Sequence, residues 1–320
     1  MFSMPRKSKL SNRPVDSIIM EEEVNLNSKN VKVERQRSSL YFVVRGVLGD
    51  RYALLGVFML AVFACCAIFA PWIAPYGPNE ADPFLRLKGI GTEGHILGLD
   101  AHGRDMLSRL IYGTRMSMVT GFGPVLIGAL VAIPLGTIAA YYDKIGQVIM
   151  RVMDIFFAFP MVLLAILVAA FLGAGLINLI ISLTVVLIPY NTRIVYIEAL
   201  AQKRQDYVEA AKAVATTDTK ILFVEFLPHV VSASVVYSMT IVGPIIILAA
   251  GLSFLGLGVQ QPTAEWGMMT SSGRVVMHKA PHLSLLPGIA IFLLVMAVNL
   301  LGDSLRDSLD PRTRLQRINN

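Results

Sequence analysis

The chain has 320 residues, of which 55% are hydrophobic and 16% charged, and its formal net charge is +6 at pH 7. A soluble domain carries about a quarter charged residues, so this composition, with its long uninterrupted apolar segments, excludes an ordinary soluble protein. The positive charge does not indicate a nucleic-acid partner, because lysine and arginine also accumulate on the cytoplasmic side of membrane proteins.

The N-terminal region is polar. Residues 1–37 show no sustained apolar period, which predicts a solvated, disordered cytoplasmic tail. Residues 38–50, SSLYFVVRGVLGD, mix apolar side chains with Arg45. This pattern favours a short amphipathic helix along the inner face of the membrane, leading into a first membrane span that ends at residue 73, with an irregular lead-in as the alternative.

Six segments are long and apolar enough to cross a membrane. A crossing needs roughly 20 mostly apolar residues, and it must be helical because unpaired backbone groups are not tolerated in lipid. The segments are residues 52–73, 116–140, 153–172, 176–192, 231–257 and 283–301. The fourth is the weakest, because it is short and contains Pro189. We therefore expect an all-α integral membrane protein of about six transmembrane helices, with its core domain at 116–303.

The distribution of basic residues predicts the orientation. With six spans and the N-terminus inside, most of the 28 lysine and arginine residues fall in cytoplasmic segments. Both termini are therefore expected in the cytoplasm, including a C-terminal tail at 304–320. The segment 74–115 is expected outside, although it contains several basic residues of its own.

This external segment contains HILGLDAHGRDMLSRLIYGTR at 95–115. After a turn at 100–103, the apolar residues Met106, Leu107, Leu110 and Ile111 fall at helical spacing. The pattern predicts a helix that starts here. The charged residues Arg104, Asp105 and Arg109 would then face water or lipid headgroups.

The spans offer little chemistry. None has a charged residue in its central part, whereas an ion-coupled carrier usually needs an ionisable group at membrane depth. An intramembrane protease is disfavoured as well, because GLSF at 251–254 lacks the second glycine of G-x-S-G and no H-E-x-x-H occurs. Cys65 and Cys66 are neighbours that point about 100° apart on a helix, so no disulfide is expected between them. We expect no catalytic site and no metal site.

A charged, alanine-rich insert, DYVEAAKAVATTDTKILFVEFLP at 206–228, separates the fourth and fifth spans. Its first part has strong helix propensity. Thr217 can cap a second helix with Asp218 in its first turn, and Pro228 ends that helix or opens the next span. We predict a helix–turn–helix that docks a cytoplasmic partner; an amphipathic hairpin that rests on the membrane is the alternative.

The insert resembles the EAA loop of ATP-binding-cassette importer permeases, whose pattern is EAA, three residues, Gly, nine residues, Ile, any residue, Leu-Pro. Residues 197–229 hold this loop, and the matching positions are Glu209, Ala210, Ala211, Leu227 and Pro228. Ala215 stands where the family has glycine, and Glu225 where it has isoleucine. Glycine there would favour a turn with positive φ, which alanine adopts at a cost of roughly 1 kcal/mol.

Three further segments resemble the C-type subunits of dipeptide and oligopeptide permeases. The first is similar to H-x-LGTD-x-x-GRD-x-x-SRL-x-x-G-x-R and places its motif at Gly98, Asp100, Gly103, Arg104, Asp105, Ser108 and Arg109, with Leu99 in place of threonine. The others are AGLSFLGLGVQQPTAEWGMM at 250–269 and GDSLRDSLDPRTR at 302–314. Four motifs in the family's order indicate membership over residues 40–314.

The resemblance implies a type I ABC importer fold in the inner membrane of a prokaryote. It implies a second, B-type permease, two ATPase subunits that hold ATP and magnesium, and an extracellular or periplasmic substrate-binding protein as partners. Residues 209–218, with Ala215, Thr217 and Asp218, would sit in a groove of one ATPase, while 94–115 and 259–282 would meet the binding protein. Dipeptides, oligopeptides, nickel chelates and glutathione all stay open as cargo.

Overall fold

The computed structural model describes residues 49–309, apart from the side chains of Lys212, Glu225, Ser308 and Leu309. The expected N-terminal tail, nearly all of the lead-in helix and the end of the C-terminal tail lie outside these residues. The helices are α1 Arg51–Ile73, α2 Met106–Tyr141, α3 Asp143–Phe157, α4 Met161–Leu172, α5 Leu176–Lys203, α6 Asp206–Ala213, α7 Asp218–Phe254, α8 Trp266–Val275 and α9 His282–Leu309.

Five helices in the described range are long and apolar enough to cross a membrane: α1, α2, α5, α7 and α9. The bent pair α3 and α4, which meet at an angle of 87°, is a sixth candidate crossing. The prediction of one continuous helix over 153–172 is therefore wrong. Pro160 lacks a backbone N–H and precedes α4, and the chain leaves the helix at residues 158–160.

Several crossing helices are longer than the apolar pattern predicts. α2 begins at Met106 instead of residue 116 and runs for 36 residues. α5 continues through the buried Pro189 to Lys203 and does not stop at 192. Pro228 does not end a helix either, because α7 is continuous from Asp218 and passes through a π-helical turn at Ile221–Phe226. Tertiary packing extends these helices past the residues that interrupt the apolar pattern.

The centre of the bundle is the pair α2 and α5. Gly136 of α2 lies so close to α5 that an added Cβ would sit 2.7 Å from Val195 and 2.8 Å from the Thr192 carbonyl. Gly128 faces Leu187 in the same interface. Small residues at such positions allow two helices to approach closely in a membrane, where packing stabilises helix association.

The described residues form two hydrophobic cores. The larger one joins α2, α4, α5, α7, α8 and α9, and it includes Leu183, Ile245, Trp266 and Leu294. The smaller one, called here the hairpin core, consists of Ala140, Tyr141, Val195, Ala199, Val208, Ile221, Leu222, Phe226 and Val230. It lies where α2 and α5 end and supports residues 206–226, called here the hairpin.

Candidate coupling hairpin and loop-side cluster

Two places in the bundle hold the residues that the motifs single out. The hairpin lies on what we call the hairpin side of the bundle. Residues 74–105 and 255–281 connect helices at the opposite end, called here the loop side. The two ends are described in turn.

The turn of the hairpin is a helix C-cap that normally requires glycine. The Thr216 amide donates to the Ala211 carbonyl at 3.1 Å, and Ala215 between them has a φ of +56°. This is a Schellman arrangement, in which the residue after the helix cap is left-handed. The positive φ expected at Ala215 is confirmed, and alanine adopts it at a cost of about 1 kcal/mol relative to glycine.

The outer face of α6 is open to solvent. Glu209, Ala210 and Val214 are exposed, and Val214 shows 76% of its surface. Val208 on the opposite face is fully buried in the hairpin core, and Ala211 is half-buried against it. The EAA residues are therefore divided, with Glu209 and Ala210 presented outwards and Ala211 holding the helix in place.

The second helix of the hairpin begins as the sequence predicts, but without the expected side-chain cap. Thr217 occupies the N-cap position in extended conformation, yet its hydroxyl makes no capping hydrogen bond. Asp218 lies in the first turn. Leu227 and Pro228 lie within α7, beyond the π-helical turn, and Pro228 is exposed.

Side chains from α2 and α5 attach the hairpin to the bundle. The Tyr141 hydroxyl donates to Asp218 Oδ1 at 2.6 Å, and its ring lies edge-on to Phe226 with centroids 6.0 Å apart. Lys203 Nζ donates to the Ala140 and Tyr141 carbonyls at 3.0 and 2.9 Å and to Asp143 Oδ1 at 2.9 Å. The ends of α2 and α5 are therefore fixed to each other beneath the hairpin.

On the loop side, the charged residues of the segment 95–109 form a compact polar cluster, called here the loop-side cluster. Asp100 accepts hydrogen bonds from the His102 amide at 2.8 Å, the Arg104 amide at 3.0 Å and Arg104 Nε at 2.7 Å. Arg104, Asp105 and Arg109 have only 6%, 3% and 2% of their surface exposed. The expectation that these three face water or headgroups is wrong, because each has polar partners inside the loop.

Asp105 caps α2 and Arg109 joins two segments. Asp105 accepts from the Ser108 amide at 2.8 Å, and His95 Nδ1 lies 2.9 Å from its other oxygen. Arg109 Nη1 donates to the Pro78 carbonyl at 2.8 Å and the Pro262 carbonyl at 3.2 Å, and its Nε lies 3.6 Å from Asp100. Arg109 therefore holds residues 74–105 against the linker between α7 and α8.

The remaining motif residues of the segment 95–115 also stabilise the loop-side cluster. Ser108 is fully buried, and its Oγ accepts from the Tyr76 amide at 3.0 Å. Gly98 and Gly103 have φ values of +77° and +81°, and an added Cβ at either would collide with the backbone of residues 82–89. The turn predicted at 100–103 and the helix predicted after it are both confirmed.

Glu265 is an important residue that the sequence reasoning did not single out. It is 2% exposed and accepts from the Gly267 and Met268 amides at 2.8 Å each, so it caps α8. Ser117 of α2 donates to it at 3.4 Å and accepts from the Trp266 amide at 3.1 Å. Burial raises the pKa of Glu265 above its ordinary value, against the effect of these amides. The sequence signal that could have identified Glu265 is its place directly before Trp266 and Gly267 in the motif segment 250–269.

Among residues 49–309, no group of three or more His, Cys, Asp and Glu side chains could hold a metal ion. The polar groups of the loop-side cluster are instead used to pair one another and the backbone. The arrangement is that of a transport bundle with a fixed end and an exposed hairpin.

Comparison with known proteins identifies this class. Residues 132–315 match the family described as binding-protein-dependent transport system inner membrane component, and residues 44–88 match the N-terminal transmembrane domain of oligopeptide transport permease C. The solved MetNI methionine ABC transporter, in inward-facing conformations, aligns with a TM-score of 0.53 at 19% identity, over 64% of this chain and 98% of that one. The predicted ABC importer transmembrane fold is confirmed.

The chain belongs to this family of inner-membrane importer permeases. It is 42% identical over 260 residues to the glutathione transport system permease protein GsiD of Pectobacterium atrosepticum, which covers 81% of this chain and 86% of the relative. It is 40% identical over 271 residues to the di/tripeptide transport system permease protein DppC of Pseudomonas aeruginosa, covering 83% and 89%. The predicted peptide-permease family, C-type subunit and inner-membrane location are confirmed.

Proposed function

We propose that this chain forms half of the translocation path of an ATP-driven importer for di- or oligopeptides. Its partners would be a B-type permease, two ABC ATPases and an external substrate-binding protein. The names of its relatives support a small peptide cargo, since one set transports glutathione and another di- and tripeptides. Glutathione itself and nickel chelates are the alternative cargoes for the same assembly.

The observation that carries the proposal is the construction of the hairpin. Its outer face exposes Glu209, Ala210 and Val214, whereas its inner face is buried on the ends of the crossing helices. A hairpin that merely rested on lipid would present a continuous apolar outer face, and Glu209 interrupts this one. We infer that a soluble ATPase binds the outer face, which makes the hairpin side the cytoplasmic side.

The ATPase subunits would supply the energy. The chain contains no G-x-x-x-x-G-K-[ST] phosphate loop, so ATP and magnesium would be held by those partners and not by this subunit. Closure of the ATPase pair would move the two hairpins of the permease pair and change the path between inward- and outward-facing arrangements.

The loop side would face the binding protein. The motif residues Asp100, Arg104 and Arg109 are buried, so we infer that they shape this surface without touching the partner. Exposed side chains of the same segment, including the 93% exposed Phe84 and the 67% exposed Ile96, are better placed for contact. Residues 94–115 and 259–282 would thus contribute a frame, and the contacts would come from its exposed edge.

Copurification tests this assembly. The full chain, tagged in its own host and extracted in mild detergent, should bring down a second multi-span permease and one or two P-loop ATPases identified by mass spectrometry. A matched preparation carrying Glu209→Lys should retain the permease and lose most of the ATPase. Recovery of the wild-type chain alone, as a stable self-associated particle, would refute the proposal.

Uptake tests the cargo. Import of a radiolabelled tripeptide should depend on this chain, and unlabelled di- and tripeptides should compete with it. Reduced glutathione and a nickel–histidine chelate are the two competitors that separate the alternatives. Competition by either one, without competition by simple peptides, would replace peptide import with that cargo.

A further inference from the structure

Helix α2 connects the two ends of the bundle without interruption. Its 36 residues span about 54 Å at 1.5 Å per residue, against about 30 Å of hydrocarbon. Its N-cap Asp105 and its first-turn residue Arg109 belong to the loop-side cluster, and it ends at Tyr141 under the hairpin. Both of its ends therefore bond to the two places where partner proteins are proposed to bind.

Most of the contact between α2 and the hairpin is apolar. Val208, Ile221, Leu222 and Phe226 pack against Ala140 and Tyr141 in the hairpin core. The hydrophobic effect is non-directional, so the apolar area buried does not by itself select one position of the hairpin along α2. It attaches the hairpin to the bundle, but it does not set the position of the hairpin along α2.

The Tyr141–Asp218 hydrogen bond is directional, and it sets the position of the hairpin along α2. A hydroxyl that donates to a carboxylate forms a short, charge-assisted bond, and here the distance is 2.6 Å. Tyr141 is 8% exposed and held by the ring of Phe226, so its hydroxyl has a defined place. Asp218 is the first residue of α7, directly after the left-handed turn at Ala215, so the bond fixes the point where the hairpin turns back.

The end of α2 is itself held still by Lys203. The Lys203 ammonium group donates to the carbonyls of Ala140 and Tyr141, which belong to the last turn of α2, and to Asp143 at the start of α3. A cation at a helix C-terminus stabilises these otherwise unpaired carbonyls. Tyr141 therefore bonds to the hairpin from a helix end that is fixed to α5.

We propose that the Tyr141–Asp218 hydrogen bond is the positioning contact through which movement of the hairpin is passed to α2. The inference rests on the proposed function, in which an ATPase moves the hairpin. Without the bond, the hairpin still docks its partner but shifts relative to α2, so ATP hydrolysis continues while less of the motion reaches the path. Tyr141 is thus a positioning residue, distinct from the exposed residues that contact the ATPase.

The test is the number of peptides imported per ATP hydrolysed by the complete complex in proteoliposomes, with the binding protein present. Tyr141→Phe removes one oxygen and keeps the ring, and we expect it to lower this ratio by roughly twofold to thirtyfold, the range for residues that couple distant sites. Tyr142→Phe is the matched control, because it removes the same atom from the next residue. Basal ATP hydrolysis and the amount of bound ATPase should be unchanged in both variants.

A double-mutant cycle separates this bond from general damage. Asp218→Ala should lower the ratio as well, and Tyr141→Phe should lower it less in the Asp218→Ala background than in the wild type, because the bond between the two residues is already absent. A ratio for Tyr141→Phe equal to that for Tyr142→Phe would overturn the inference. An undiminished effect of Tyr141→Phe in the Asp218→Ala background would overturn it too.

Failure of the proposed function can be distinguished from failure of the Tyr141 inference. It would appear as a wild-type preparation that contains no ATPase, whereas failure of the Tyr141 inference requires ATPase to be present and coupled. The bond is then still testable by hydrogen exchange in the purified chain. Tyr141→Phe should speed exchange of the amides at 218–222 by roughly twofold to thirtyfold over Tyr142→Phe, and equal rates would refute the contact.

Discussion

The two ends of this permease are held together by different interactions. On the loop side, the buried residues Arg104, Asp105, Arg109 and Glu265 bond to the side chains of Asp100, His95 and Ser117 and to backbone groups, some of them from distant segments. On the hairpin side, attachment depends on an apolar core and a small set of polar bonds around Tyr141 and Lys203. The loop-side cluster with Glu265, called here the frame, is therefore held in shape mainly by directional bonds between several segments. In the proposed function, the frame stays fixed and the hairpin moves as a unit.

The largest effect should come from breaking the frame at Arg109. Arg109→Met removes the cation that joins the Pro78 and Pro262 carbonyls to Asp100, so the two loop segments lose this charged link, although Asp100 keeps its bonds to Arg104. Losing one partner of a buried charge typically costs about 3–5 kcal/mol. We expect a marked fall in the thermal unfolding temperature in detergent. Arg86→Met, at an exposed position of the same segment, should change stability by less than about 0.5 kcal/mol, and an equal effect of the two substitutions would contradict the frame.

Charge reversal on the hairpin should affect coupling without affecting the fold. Glu209→Lys places a cation on the exposed face of α6, and we expect at least about a tenfold loss of uptake, the equivalent of 1.4 kcal/mol in ATPase binding. Thermal unfolding of the permease should be unchanged. Glu93→Lys makes the same reversal at an exposed site on the loop side and should leave ATPase recovery at the wild-type level. Unfolding of the Glu209 variant would show that the hairpin is part of the frame.

Glu265 gives the frame a pH dependence. Its folded-state pKa is raised by burial, so its contribution to stability is fully present below the unfolded pKa and is lost as pH rises through the folded pKa. The unfolding temperature of the wild type, relative to Glu265→Gln, should therefore fall as pH rises from about 4 towards neutrality. Glu265→Gln should itself cost about 1–2 kcal/mol, because an amide caps α8 less well. A difference between the two proteins that does not change with pH would contradict this account.

The smallest predicted effect is a gain in stability at the turn of the hairpin. Ala215→Gly relieves the left-handed conformation at φ +56° and should stabilise the turn by up to about 1 kcal/mol, less the extra entropy of glycine in the unfolded chain. Hydrogen exchange of the Thr216 amide, which closes the turn, should slow accordingly. Ala213→Gly, at the last residue of α6, is the opposite control and should speed exchange, since glycine is a poorer helix former than alanine. Faster exchange in the Ala215 variant would be against the prediction.

The hairpin could be predicted because its turn depends on residues that are close in the sequence. The buried contacts of the frame could not be predicted, because they join residues that are far apart in the sequence. The left-handed turn at Ala215 follows from residues within five positions of it, so spacing alone was sufficient. The burial of Arg109 depends on carbonyls 31 and 153 residues away, which no local pattern reveals. The break at Pro160 was missed because apolar residues continue on both sides of it, so composition did not change where the helix ended.

The bent pair α3 and α4 determines at which end of the bundle each later helix begins. α2 and α5 run in the same direction, since Lys203 bonds to the last carbonyls of α2, and α5 starts beside the end of α7, where the Gly175 amide donates to the Gly258 carbonyl. The chain between Tyr141 and Gly175 must therefore return across the bilayer, and the bent pair makes that return. With this return counted as a crossing, the described residues 49–309 contain six candidate crossings, so residues 51 and 307 lie at the same end of the bundle. A variant that straightened α3 and α4 onto one face would reverse every later helix and carry the hairpin to the wrong side of the membrane.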